Sequence, residues 1–508
     1  MHFRSQIPLN MIAAITAFLV GFCINFFLTP YIVKSLGAEA YGFIGLTTNI
    51  ISYAGLITIA LNSMAGRFIT IEYCKNEKCS ANKYYTSVFF SNIVLGATIA
   101  LLSLFFFIWM ESIISIPQRL IFDVKMLFAA LALSNILNLI SNTWSVSLFI
   151  KNRLDLGNIR NILGTTINAL IIVLSFSFFK AHLWYIGLAG FALAIYTAIT
   201  NFKFAQSLTP DLCIKKRYFD LAKIKELLKS GVWNLIAKLG DILGQGLDLL
   251  IANLFIGTLE MGMFAITKNI PFLILGLFQT ISGVFAPVFT TLYAQNKKDE
   301  LLKECHKSIR FLSFFTAPPL AFLYIYGDYF FKLWLPTEDS SKQILLTILG
   351  TFALPYTLPL ESLWTIFTLT NKIKIPTIFT VANNLLVFAI VMVSMLFVES
   401  PEKRLFVLAS TRSICGVVRG ILFLPMYGAH CLEISKKSFF KDIFKSLFCL
   451  LLCLTACYGI RHIVVPYSWI ELFIAVIFIC IPCFIFSFII ILTKEDKHLI
   501  LKKIFSKV

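Results

Sequence analysis

Charged residues are scarce in this sequence. Asp, Glu, Lys and Arg together make up 14% of its 508 residues, and Asp and Glu together number only 26. Soluble domains carry about 25% charged residues, and they are rarely 58% hydrophobic, as this chain is. The composition therefore excludes an ordinary soluble protein and indicates an integral membrane protein.

Several functional signatures are also missing. The sequence has no GxxxxGK[ST] phosphate-binding loop, and no loop is long enough for a nucleotide-binding domain. Its six His do not group with Ser, Cys or Asp into a catalytic set, and its twelve Cys do not form a zinc-binding or disulfide pattern. We therefore expect no enzyme, no metal and no cofactor, and we exclude ATP-driven transport by this chain alone and a conventional glycosyltransferase.

Long apolar runs dominate what is present, and each can cross a hydrocarbon core of about 30 Å as a helix. The runs predict an all-α polytopic membrane protein with about 14 transmembrane helices. The predicted spans are 10–34, 41–65, 85–109, 122–149, 157–179, 182–206, 231–256, 263–291, 309–330, 343–369, 374–398, 404–430, 443–463 and 468–492.

Lys and Arg are concentrated in alternate loops and in both termini. By the positive-inside rule, this asymmetry places both termini in the cytoplasm. The formal net charge of +18 is then mainly a topology signal with some attraction to anionic lipid, and it does not predict a nucleic acid partner.

One phrase occurs twice in the chain. Residues 37–50 read GAEAYGFIGLTTNI and residues 257–270 read GTLEMGMFAITKNI, with Gly, Gly, Thr, Asn and Ile at matching positions. Both copies lie at the turn between a first and a second helix, so the repeat predicts two parallel six-helix bundles related by a pseudo-two-fold axis. We expect an N-terminal lobe at 1–210, an amphipathic cytoplasmic linker at 211–230 capped by Asp220, a second lobe at 231–432, and two further helices with a basic tail at 433–508.

Residues 28–56, LTPYIVKSLGAEAYGFIGLTTNIISYAGL, carry a P-x-x-x-x-x-L-G-x-x-x-Y-G turn at Pro30, Leu36, Gly37, Tyr41 and Gly42. This segment and the helix count resemble the polysaccharide flippase branch, the Wzx-type O-antigen and capsule repeat-unit transporters, of the multidrug/oligosaccharidyl-lipid/polysaccharide (MOP) exporter superfamily. The resemblance implies a MATE-like fold in a bacterial inner membrane. It also implies transport of a polyprenyl-diphosphate-linked glycan by alternating access, alongside membrane lipid and polysaccharide polymerase machinery as partners.

Ionisable residues inside the predicted spans are candidates for function, because each is costly in a bilayer. Span seven carries a stripe at spacings of 4, 3, 4 and 3, made of Asn234, Lys238, Asp241, Gln245 and Asp248. We expect Asp241 and Asp248 to bind a coupling H⁺ or Na⁺, and Gln245 to line a polar cavity. Mutual neutralisation of Lys238 and Asp241 is the alternative.

Cations at depth could bind a diphosphate. The candidates are Lys268, which precedes Pro271 by three residues, Arg412, Arg419 and, as a fourth, Lys238. Arg412 and Arg419 could instead form fixed bridges to Asp241, Asp248 or Glu361. We also place Glu361 among the residues of the polar cavity.

The first half contains amides and hydroxyls instead of charges. Asn25 and Asn49 are candidate cavity residues, and span four has a row of amides at Asn135, Asn138 and Asn142. Hydrogen bonds between helices explain such residues, and a sugar-contacting wall is the alternative. Arg67 and Glu72, at the cytoplasmic end of span two, are expected to form a snorkelling or gate pair.

A lipid II flippase and a MATE-type drug/cation antiporter share this topology and remain alternatives. Surplus basic residues within the spans disfavour the antiporter, since an organic cation needs an acidic cavity. A membrane-embedded polymerase or ligase would need a long outer loop with catalytic residues, and the sequence has none.

Overall fold

A computed structural model gives the fold. It describes residues 2–370 and 372–497, without the side chains of residues 2–8, 11, 245, 287 and 294. The described residues form helices joined by turns and contain no strand. The predicted all-α polytopic class is confirmed.

The chain divides into two compact units. The first contains the residues up to Ile266 together with Thr380–Leu385, and the second contains Thr267–Phe379 and the residues from Leu386 onward. Helices α10 and α16, bounded below, therefore contribute to both units.

The first unit contains nine complete α-helices among the described residues. They are α1 (His2–Leu36), α2 (Ala38–Ala54), α3 (Leu56–Cys74), α4 (Lys78–Ile113), α5 (Ile121–Ile150), α6 (Leu154–Phe178), α7 (Trp184–Leu208), α8 (Leu221–Asp241) and α9 (Asp248–Phe255). The helices of the second unit, with α10 and α16, are α10 (Thr258–Gly283), α11 (Ala286–Ala294), α12 (Lys298–Trp334), α13 (Ser340–Thr351), α14 (Leu354–Thr357), α15 (Leu363–Leu369), α16 (Lys374–Phe397), α17 (Pro401–Val418), α18 (Leu424–Cys431), α19 (Phe440–Arg461) and α20 (Trp469–Ile490).

Within the described ranges, twelve helical segments are long and apolar enough to cross a membrane, and the pair α2 and α3, bent by 69°, makes up to thirteen. The expected number of fourteen is not confirmed. The segment that falls short is span seven, predicted at 231–256. It carries three ionisable residues, and an irregular turn divides it into α8 and the eight-residue α9.

The helix predicted in the linker is present, but it is not separate from span seven. Asp220 caps α8 by accepting a hydrogen bond of 2.9 Å from the backbone N–H of Ala222, and this bond holds the pKa of the Asp220 carboxyl below its usual value. From there α8 continues without a break to Asp241. At Gly231 it lies so close to α3 that a side chain would collide with the carbonyl oxygen of Ala60. A single helix thus joins the linker to the ionisable residues of span seven.

The repeated phrase forms two turns that pack against each other. Gly37, before α2, has a φ of 86°, a conformation that glycine adopts without strain. Further along, a Cβ at position 42 would lie 2.8 Å from the Cα of Gly262. Glycine at both positions therefore permits the close approach of α2 and α10.

Candidate functional site

The irregular turn in span seven is a π-helical segment, Ile242–Gly246, between α8 and α9. Its i→i+5 hydrogen bond runs from the N–H of Leu247 to the carbonyl oxygen of Ile242, at 3.0 Å. Glycines at 240, 244 and 246 make the stretch LGDILGQG a weak α-helix former, which favours such a break. Single-turn π segments inside helices frequently occur at functional sites.

The break exposes a backbone carbonyl to side chains. Asn49 donates a hydrogen bond of 3.0 Å from Nδ2 to the carbonyl oxygen of Gly246, and the Tyr53 hydroxyl donates to the same oxygen. The two donors are four residues apart and lie on one face of α2. Two uncharged side chains thus satisfy a carbonyl that the broken helix leaves without a regular partner.

Both predicted carboxylates flank this turn. Asp241 ends α8 and is half-buried, whereas Asp248 begins α9 with 8% of its surface exposed. The carboxylate of Asp248 interacts electrostatically with the Tyr53 hydroxyl. Asn384 of α16 completes the surroundings by donating a hydrogen bond of 2.9 Å to the carbonyl oxygen of Gly240. We call Asn49, Tyr53, Gly246, Asp248 and Asn384 the span-seven site.

The sequence predicted part of this site. Asn49 was expected to line a polar cavity and Asp248 to bind a coupling ion, and the structure brings them to the same turn. Tyr53 and Asn384 were missed, although Tyr53 follows Asn49 by one helical turn. Lys238 is exposed one turn before Asp241, and the side chain of Gln245 lies outside the described residues.

A second π-helical segment, Arg419–Phe423, lies in the second unit between α17 and α18. Its first residue, Arg419, interacts electrostatically with Glu361, and Glu361 also forms a side-chain hydrogen bond with Gln279 of α10. We call Gln279, Glu361 and Arg419 the Arg419 cluster. Here the structure brings together two predicted residues, Glu361 and Arg419. A fixed bridge between them remains a prediction. Gln279 was not predicted.

The other two candidates for the diphosphate are half-buried in the second unit. Lys268 lies in α10, with its ammonium 5.8 Å from the centre of the Phe272 ring, and Pro271 lies within the same helix three residues further on. Arg412 lies in α17, seven residues before Arg419. Their binding of a diphosphate remains a prediction.

Three further predicted residues lie away from both groups. Asn25 is exposed and donates a hydrogen bond of 2.9 Å to Gly21 of its own helix. Glu72 lies 3.6 Å from Lys75, and Arg67 is exposed. Among the described residues, no salt bridge joins Arg67 and Glu72, and Glu72 pairs with Lys75 instead. Gating by these residues remains a prediction.

Comparisons with known proteins agree with this architecture. The sequence profile of the family described as "Polysaccharide biosynthesis protein" matches residues 34–338, more than half of the chain. The uncharacterized membrane protein EpsK of Bacillus subtilis (strain 168) is 28% identical over 502 residues, and the match covers 98% of each chain.

Solved structures share the fold. A structure of the lipid II flippase MurJ in an inward closed conformation matches with a TM-score of 0.69 at 15% identity, over 95% of this chain and 98% of that one. An inward-facing multidrug resistance MATE family transporter of the MOP superfamily matches with a TM-score of 0.66 at 15% identity, over 83% and 96%. The fold predicted from the resemblance is confirmed, and the chain belongs to the family described as "Polysaccharide biosynthesis protein".

Proposed function

We propose that this protein is a flippase. It moves a polyprenyl-diphosphate-linked oligosaccharide repeat unit from the cytoplasmic to the periplasmic leaflet of a bacterial inner membrane, for O-antigen or capsule synthesis. Membership of the polysaccharide biosynthesis protein family is the observation that carries the proposal. Both termini are cytoplasmic in this proposal, and a polysaccharide polymerase consumes the product.

The chemistry of such a substrate matches the residues available. A diphosphate needs cationic groups at depth, while its lipid tail can stay in the bilayer. Lys268 and Arg412 are our first candidates for diphosphate contacts. Arg419 ranks below them because Glu361 already offsets its charge, and Lys238 is a fourth candidate. Alternating access between the two six-helix lobes carries the headgroup across.

Transport against a gradient needs an energy source, and the span-seven site suits an ion. A carboxylate near a hydroxyl and a helix break offers oxygen ligands of the kind that hard cations prefer, and a buried carboxylate can alternatively exchange a proton. Asp248 is buried beside Tyr53, so it is our first candidate for binding Na⁺ or H⁺, followed by Asp241. The broken helix provides the local adaptability that a coupled site requires.

Transport in proteoliposomes tests the proposal. A fluorescent, short-chain polyprenyl-diphosphate oligosaccharide is added to one leaflet, and its movement is followed as the fraction protected from a membrane-impermeant quencher. We expect the wild-type protein to move it, faster with an imposed Na⁺ or H⁺ gradient, and Asp248→Asn to lose most of the gradient-dependent rate. Asp211→Asn removes a carboxylate that pairs with Lys78 at the surface and is the matched control.

The alternatives give different results in the same assay. Movement of lipid II but not of the oligosaccharide carrier would assign a lipid II flippase. Proton- or sodium-driven movement of organic cations alone would assign a MATE-type antiporter. Failure of the wild-type protein to move any lipid-linked glycan would refute the proposal.

A further inference from the structure

A polar cavity of about 350 Å³ lies within the first unit, beside the bend between α2 and α3. Helices α5, α6 and α7 contribute amide, hydroxyl and guanidinium groups to its lining, among them those of Asn135, Asn138, Asn142, Arg160, Thr197 and Asn201. We call this the amide pocket. Its volume falls within the range of small-molecule sites, about 300 to 1,000 Å³.

The amides of α5 form one row in this pocket. Asn135, Asn138 and Asn142 are spaced three and four residues apart, so they share one face of the helix. The row extends over roughly 10 Å, at 1.5 Å per residue. Asn138 and Asn142 are exposed, and Asn135 is half-buried.

A second pair of amides shows what a purely structural role looks like. Asn62 and Asn92 exchange reciprocal hydrogen bonds of 2.9 and 3.0 Å, and Asn92 also donates to Thr143 and to the carbonyl oxygen of Leu139. By contrast, Asn135 and Asn138 form no side-chain hydrogen bond with any described residue. Their donors and acceptors face the pocket, where they are available to a ligand.

Arg160 contributes a positive charge to the amide pocket. It lies six residues after the start of α6, at a level where the neighbouring side chains are otherwise uncharged. Its Nη1 donates to Asn201, and its Nη2 donates to Asn161 at 3.0 Å. No carboxylate among the described residues pairs with it, whereas Arg153 in the preceding loop pairs with Asp155 at 3.0 Å.

The partners of Arg160 orient its side chain without neutralising it. Asn201 is buried, and its own amide nitrogen donates to the carbonyl oxygen of Ser141, so its oxygen is fixed toward the guanidinium. Of the five N–H groups of Arg160, one on each terminal nitrogen has no described acceptor. A guanidinium held this way is placed to donate two parallel hydrogen bonds to an anion.

From this arrangement we infer that the amide pocket is a binding subsite for a hydroxyl-rich, negatively charged group of the glycan. The amide row of α5 hydrogen-bonds hydroxyls, and Arg160 binds the anion. This inference rests on the proposed transport of a lipid-linked glycan. Two parts of such a substrate offer the anion: the carboxylate of a uronic acid residue and the diphosphate at the reducing end.

Equilibrium binding to the purified full-length protein tests the inference, with isothermal titration calorimetry as the measurement. The probes are a disaccharide that contains glucuronic acid, its neutral counterpart with glucose in that position, and inorganic pyrophosphate. For the wild-type protein we expect a Kd at least about ten-fold lower for the acidic disaccharide than for the neutral one. Arg160→Gln should abolish that preference and leave the neutral disaccharide unaffected.

Two further variants distinguish specific binding in the amide pocket from a general effect of removing charge. Lys203→Gln removes a positive charge from an exposed position of α7, two residues from Asn201, and should keep the preference. Asn138→Ala should raise the Kd of both disaccharides by a similar factor of about three to ten, because it removes a hydroxyl partner and no charge.

The outcomes distinguish the sources of the anion. Loss of disaccharide preference in Arg160→Gln assigns the site to a sugar carboxylate, and loss of pyrophosphate binding instead assigns it to the diphosphate. A folded Arg160→Gln protein that binds all three probes as the wild-type does overturns the inference. Because binding is measured without transport, an intact Arg160-dependent preference in a protein that moves no lipid-linked glycan would refute the proposed function alone.

Discussion

The two π-helical segments, Ile242–Gly246 and Arg419–Phe423, have the same type of backbone conformation but carry different ionisable residues. Each follows a long helix, and each has a glycine that a neighbouring element approaches closely: Gly244 against the side chain of Asn384, and Gly420 against the backbone of Tyr356. The first holds the carboxylate of Asp248 beside uncharged donors. The second holds a cation, Arg419, beside the carboxylate of Glu361.

This difference in charge suggests different roles, ion binding for the span-seven site and structural support for the Arg419 cluster. We interpret the Arg419 cluster as a support, because opposite charges offset each other and help to fix the helices that carry them. We interpret the span-seven site as an ion site, because a buried carboxylate can bind a cation or a proton. We therefore expect mutations in the Arg419 cluster to affect stability first, and those at Asp248 to affect transport first.

The largest expected effect on stability is that of Arg419→Met. It leaves Glu361 half-buried without its cation, and we expect a loss of about 2 to 3 kcal/mol in the free energy of unfolding, somewhat less than for a fully buried pair. Unfolding of the purified protein by SDS in mixed micelles measures it. The double variant Arg419→Met/Glu361→Gln should recover most of the loss, because the uncompensated charge is gone.

Transport by the double variant then sharpens the comparison. Wild-type rates in a protein with restored stability would establish the cluster as a fixed bridge. Lost transport at restored stability would contradict that interpretation and return Arg419 to the diphosphate site.

A smaller effect is expected from adding a methyl group at the second segment. In Gly420→Ala the new Cβ would lie 2.9 Å from the carbonyl oxygen of Tyr356, so the backbone must shift, at a cost of about 1 to 2 kcal/mol in unfolding free energy. Gly66→Ala is the matched control, because nothing lies within 4 Å of a Cβ there. That control should stabilise α3 by about 0.5 to 1 kcal/mol. Equal stabilisation of both variants would show that close packing at Gly420 is unimportant.

The smallest effect concerns the carbonyl oxygen of Gly246. Asn49→Ala and Tyr53→Phe each remove one of its two donors, and we expect each to lower the unfolding free energy by about 1 kcal/mol. Removing both should cost more than the sum, since the carbonyl then has no side-chain partner. Thr48→Ala, at an exposed residue that bonds only its own helix, should change stability by less than about 0.5 kcal/mol. Strict additivity of the two losses would contradict the shared acceptor.

Much of the fold could be predicted because a bilayer imposes it. Apolar runs of about twenty residues have few alternatives to a membrane-spanning helix, so twelve spans and the bent α2–α3 pair were recognisable from composition. Span seven was different, since its charges lower its hydropathy and its glycines break the helix.

The site was predictable to the extent that helical periodicity held. Spacings of three and four placed Asn234, Lys238 and Asp241 on one face, as a continuous α-helix requires. The π turn inserts one extra residue, which rotates the residues after it by about 100° relative to a continuous helix. Asp248 therefore leaves the predicted stripe. Its electrostatic interaction with Tyr53 depends on tertiary packing, which no spacing within span seven encodes.

The contact between the two glycines of the repeated phrase bears on how the two halves of the chain evolved. Gly42 packs against Gly262, and position 262 is also its counterpart 220 residues along the chain. A residue touching its own equivalent is the signature of an isologous contact, which lies on the two-fold axis of a symmetric dimer. Two copies of a half-length chain, joined through this turn, would make the same contact. Fusion of two duplicated genes would thus preserve this contact. A larger residue at either glycine would require the backbone of the other turn to move.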